Sequence, residues 1–135
     1  MALNASFGFS GKDVRPAGCT TSEEVGDFVY VSGVPVLGRD QVRRANPDSP
    51  LAMPAVGVVI FKVSSEECLV QWIGETPDVF AGLTAGKQYW LGPNAKAASL
   101  PTRSATGRLA QVVGVATAPT RFYVKPDGVM TKLFT

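Results

Sequence analysis

Short runs of β-branched and aromatic residues, cut by Gly, Pro and polar turns, set the pattern of this chain. Residues 28–36, "FVYVSGVPV", read as a strand bent near Gly33 or Pro35. Residues 55–63, "AVGVVIFKV", form a second strand, apolar on both faces at its start. "SSEE" interrupts at 64–67 and "CLVQWI" resumes at 68–73, which predicts a β-hairpin closed by Gly74 and Pro77. "QYWL" at 88–91 is a short aromatic strand. "LAQVVGVA" and "TRFYV", at 109–116 and 120–124, form another pair across "TAP". In "KPDG", at 125–128, Pro126 presets φ and Gly128 takes the positive φ that ends a turn. Residues 129–134 are read as a last strand. No window sustains a 3.6-residue period, so the fold class is all-β. The expected architecture is a small antiparallel β-barrel or β-sandwich with long loops. Residues 1–27, rich in Gly, Ser and Thr, read as an extended N-terminal arm, and 28–135 as a single β domain. Residues 37–54 carry three prolines and read as an irregular loop.

Length and composition narrow the picture. A chain of 135 residues with 45% apolar and 18% charged residues fits one folded domain with a real core. A net charge of +2 is too small for the dense basic face that nucleic acid demands. Arg39, Arg43 and Arg44 cluster, but Asp40 and Asp48 lie among them, as in a solvated loop. The N-terminus lacks the basic and apolar regions of a signal peptide. No run of 18 apolar residues is present to span a membrane. Synthesis in the cytoplasm is therefore expected, with Cys19 and Cys68 as free thiols.

Candidate chemistry is sparse. The chain has no histidine and its two cysteines form no CxxC pair, so neither a metal site nor a cofactor is expected. "GLTAGKQ", at 82–88, invites comparison with a phosphate-cradling loop. A P-loop needs Gly five residues before its second glycine, and Ser or Thr after its lysine. Here those positions hold Ala81 and Gln88, and a strand follows where a helix should begin. The stretch reads as a turn feeding a strand. Glu66 and Glu67 fall in a hairpin turn, where charge serves solubility, and a Ser or Cys nucleophile would have no base. Trp72, Tyr89, Trp90, Phe122 and Tyr123 read as core or interface residues before base-stacking platforms. No enzymatic activity is expected, and no catalytic residue is assigned.

The second half resembles a module that recurs in tailed-phage virion proteins. The resemblance rests on Gly82-Leu83-Thr84, Gly86, Tyr89-Trp90-Leu91, Pro101, the run Gln111-Val112-Val113-Gly114-Val115-Ala116, and Phe122-Tyr123-Val124. Upstream, "MPAVGVVIFKV" at 53–63 is similar to the strand that precedes that module, so the likeness spans about 53–128. It implies a non-enzymatic virion surface component, usually trimeric: a capsid decoration (cement) protein, or alternatively a fibre or adhesin module that binds a host receptor such as a glycan. A chain of one domain without a shaft favours the decoration protein. The implied partners are the major capsid protein and further copies of the chain in a homotrimer, with no nucleic acid and no membrane. The implied location is the capsid surface of the virion. Phe7, Phe9, Trp72, Tyr89 and Trp90 are the candidate capsid or subunit contacts. Phe7 and Phe9 share one side if the arm is extended.

Overall fold

The computed structural model describes residues 12–47, 49–100, 109–127 and 131–132. Among them the chain is almost all strand. In chain order these are β1 (Asp13–Gly18), β2 (Phe28–Val31), β3 (Val42–Arg44), β4 (Gly57–Lys62), β5 (Glu67–Glu75), β6 (Gln88–Leu91), β7 (Ala97–Ala98), β8 (Leu109–Ala110), β9 (Val112–Ala118), β10 (Arg121–Val124) and β11 (Thr131–Lys132). Short 3₁₀ turns occupy Pro50–Ala52 and Pro93–Ala95, each opened by a proline that presets φ. Nine strands form one antiparallel sheet in the order β3-β2-β4-β5-β10-β9-β6-β7, with β1 added to β5. β8 and β11 make a separate two-stranded pair. The sheet curls into a half-barrel, as the all-β reading anticipated.

β5 is the longest strand, and it is shared. Cys68 to Gln71 pair with β4, Glu67 to Ile73 with β1, and Gly74 and Glu75 with Val124 and Tyr123 of β10. The expected hairpins are present: β4–β5 around 63–66 and β9–β10 around 119–120. Two stretches differ from expectation. Asp13–Gly18, placed in an extended arm, is a sheet strand registered on β5. Val42–Arg44, placed in an irregular loop, pairs with Val29 to Val31 of β2. Asp13–Gly18 is broken by Pro16 and ends in Gly18, and Val42–Arg44 holds a single apolar residue, so the strand signal of alternating apolar residues is absent. Their partners supply the ladder.

β1 shows how an edge is managed. The Cys19 N–H donates to Glu66 O across the β5 side, and the Gly18 N–H donates to Asp40 O on the other side. Strand alternation therefore turns the Pro16 nitrogen outward. The outer edge is the place where a missing N–H costs no ladder bond.

The curl encloses the main core. Phe28 of β2 and Tyr89 of β6 both meet the Phe122 ring of β10, at centroid distances of 5.7 and 5.9 Å, and Phe80 meets it at 5.4 Å. Strands far apart in the sheet order share one cluster, completed by Val58, Leu91, Val113 and Val124. A second cluster lies on the opposite face of the same strands: Ala17, Cys19, Val29, Val42, Val59, Cys68 and Val70, with Trp72 against it. This explains why β4 is apolar on both faces. Gly114 sits where β9 crosses β10 with φ of +151°, and a Cβ there would collide with the Tyr123 carbonyl and the Phe122 ring.

Polar ties close the two ends of the sheet. Asp27, buried, takes Lys96 Nζ on Oδ1 at 2.5 Å and faces Arg44 Nε at 3.2 Å, while the Glu24 N–H donates to its Oδ2. Arg44 also donates to Asn94 O at 2.6 Å. Gln111 is buried and satisfied on both ends of its amide: Nε2 donates to Ala55 O and Asp127 O, and Oε1 accepts from the Ala55 N–H.

Candidate interaction surface

The loop between β2 and β3 rises as a finger. Its base is held by the Ser32 N–H donating to Gln41 O, and its tip by reciprocal 3.0 Å bonds between Val36 and Arg39. Leu37 and Gly38 turn the chain with φ of 53° and 78°. Two positive φ values in a two-residue hairpin make a type I′ turn, where Asn-Gly is the favoured pair. Leu37 fills the Asn position and is 96% exposed; Val34 is 76% exposed. An ion pair from Arg39 to Glu67 and a bridge from Gln41 to Gly18 fasten the finger to β5 and β1. The result is an apolar tip on a braced stalk.

Beside it stands the β4–β5 turn, with Phe61 and Val63 exposed at its base. Between the two lies an open groove of about 710 Å³. Val36, Leu37 and Arg39 form one wall, Ser64 to Glu67 the other, and Gly18 to Thr21 the floor. Glu66 stays in the exposed turn, as read from sequence, while Glu67 has a partner in Arg39.

The predicted contact residues do not converge. Phe7 and Phe9 lie outside the described residues. Tyr89 is a correction: at 6% exposure it belongs to the core, its hydroxyl accepting from the Thr84 N–H, so it offers no surface. Trp90, its neighbour on β6, is half-buried on the opposite side and pairs with Val112 and Ala98. Trp72 is half-buried on β5, with the Arg15 guanidinium 4.7 Å above its ring and Asp13 holding Arg15 through two hydrogen bonds. That carboxylate raises the Arg15 pKa further. A small apolar cleft of about 280 Å³ adjoins Trp72, between Pro54 to Val56 and Lys125 to Asp127.

The 82–88 stretch is a turn. Gly82 and Gly86 have φ of 73° and 84°. The N–H groups of Leu83, Thr84, Gly86 and Lys87 donate to Pro119 O, Tyr89 Oη, Ala116 O and Thr84 O. These amides are spent inside the fold and do not converge on a ligand. Among the described residues no three His, Cys, Asp or Glu side chains stand close enough to hold a metal ion, and no helix is long and apolar enough to cross a membrane.

The finger escaped the sequence reading because "VLGR" lacks the Asn-Gly or Asp-Gly of the common hairpin turn; Gly38 was the available signal. Comparison with known proteins finds no family model, no curated protein and no solved structure that matches this chain.

Proposed function

We propose that this protein is a non-enzymatic structural component of a tailed-phage virion, a decoration protein that binds the capsid surface as a homotrimer and reinforces the shell. The observation that carries this reading is the finger: Leu37 and Val34 present apolar side chains to solvent on a stalk braced by Arg39 and Gln41. Binding a flat protein shell requires adhesive projections, and a pre-ordered apolar tip loses little conformational entropy on docking. The resemblance across 53–128 points the same way. Phe7 and Phe9 of the N-terminal segment are further proposed contacts.

Co-sedimentation with capsids of the encoding phage tests the reading. The native chain is expected to saturate a fixed number of sites per shell. Leu37→Asp should cut occupancy at least about tenfold, because a charge replaces an apolar side chain buried at the contact. Removing residues 1–10 should also lower occupancy without changing the melting temperature. A chain that ignores capsids and binds host glycans would replace this reading with the fibre or adhesin one.

A further inference from the structure

Two thiols meet behind the groove. β1 is registered on β5 with Ala17 opposite Cys68 and Gly18 opposite Glu67, and the Cys19 N–H donates to Glu66 O at 3.0 Å. Cys19 and Cys68 therefore stand on one face of the sheet, on a diagonal two positions apart. Both are free, and both are buried in the cluster with Ala17, Val29, Val42, Val59 and Val70. Their side chains interact: the Cys68 thiol is pushed up to about 12 by burial first, then by the charge of Cys19 and a hydrogen bond with it. Diagonal neighbours of this kind lie about 7–8 Å apart, so closing a disulfide requires the backbone to shift at Cys19, which follows the last residue of β1. Access differs between the two. Cys19 forms part of the groove floor, whereas Cys68 does not line the groove.

We infer that Cys19 and Cys68 form a dithiol–disulfide site, with Cys19 the entry thiol and Cys68 the resolving thiol, which a small-molecule disulfide entering the groove converts to an intramolecular disulfide. With oxidised glutathione the electrons balance in two steps. The Cys19 thiolate attacks one glutathione sulfur; the S–S bond breaks and one glutathione leaves as a thiolate that takes up a proton. Cys68, after losing its proton to solvent, attacks the Cys19 sulfur of the mixed disulfide and expels the second glutathione thiolate. Two protein thiols are oxidised to one disulfide, and one oxidised glutathione is reduced to two thiols. The product fastens β1 and the start of the loop after it to β5. This inference does not rest on the virion reading.

The test uses the full chain, purified reduced, then held folded with oxidised glutathione. It is quenched in acid, alkylated under denaturing conditions and weighed by mass spectrometry. The expected product takes up no alkylating agent and is lighter than the reduced chain by the mass of two hydrogen atoms. Because Cys68 holds its proton tightly, the closing rate should rise about tenfold per pH unit between pH 7 and 9. The Cys68→Ser chain should stop at a glutathione adduct on Cys19, and the Cys19→Ser chain should stay unmodified over the same time. Two alkylatable thiols after prolonged oxidation, or disulfides between chains in place of within one, would overturn the site. An adduct on Cys68 of the Cys19→Ser chain, formed at the rate of the native reaction, would overturn the assignment of Cys19 as the entry thiol.

Discussion

Leu37 carries two costs at once. It occupies the left-handed region, which disfavours a side chain with a Cβ by about 1–2 kcal/mol, and it leaves an isobutyl group almost wholly in water. Asn tolerates that conformation. Leu37→Asn is therefore expected to stabilise the folded chain by about 1 kcal/mol in urea denaturation while weakening the proposed capsid binding. A variant that binds capsids as well as the native chain would remove the finger from the contact. Cys68 makes a different prediction at this scale. Its thiol pKa is raised in the fold, chiefly by burial, to about 12, above the ordinary value of 9.0. Between those values the unfolded chain has lost a proton that the folded chain keeps, so stability falls as pH rises from about 9 towards 12. Cys68→Ala lacks this contribution. Its stability deficit relative to the native chain should shrink between pH 9 and 11 in denaturant titrations.

At the scale of elements, the strands hold together through a few shared residues. Asp27 precedes β2 and collects Lys96, Arg44 and the Glu24 N–H. Asp27→Ala removes the carboxylate but leaves two cations that already reach solvent, so the loss is set mainly by the unpaired amide and the missing ties. About 2 kcal/mol is expected in urea denaturation, below the roughly 3–5 kcal/mol of a fully buried pair. Gly114 is less forgiving. Its positive φ and the close approach of Tyr123 O and the Phe122 ring leave no room for a methyl group. Gly114→Ala should cost more than about 2 kcal/mol, because β10 and the aromatic core must both shift.

For the whole molecule, curvature decides what is inside. Gln111 spans the segment before β4 and the segment after β10, so it closes the curl as well as filling a buried site. Replacing it with Leu would remove the acceptor of the Ala55 N–H and the amide donor to the Ala55 and Asp127 carbonyls. The expected loss is about 3 kcal/mol, with early hydrogen exchange at β9 and β4 as its mark. The proposed homotrimer would show a light-scattering mass three times that of the 14.2 kDa chain. A monomer at high micromolar concentration would count against it.

How much of this was legible in the residues depends on the range of the interaction concerned. The strands β4, β5, β6, β9 and β10 are written locally, in β-branched and aromatic runs between turn residues, and the 82–88 turn is written in its glycines. Their identity needs only backbone sterics and short-range pattern. β1 and β3 are not written that way. Val14-Arg15-Pro16 and Val42-Arg43-Arg44 become strands because β5 and β2 offer ladder groups on the side turned away from β4. The fates of Tyr89 and Trp90 were likewise undecided. Alternation separates them, but only the curl of the sheet makes the Tyr89 side the interior. The finger, the groove and the meeting of Cys19 with Cys68 all join residues far apart in the chain. No local pattern encodes such juxtapositions; they exist only once pairing register and sheet curvature have brought the segments together.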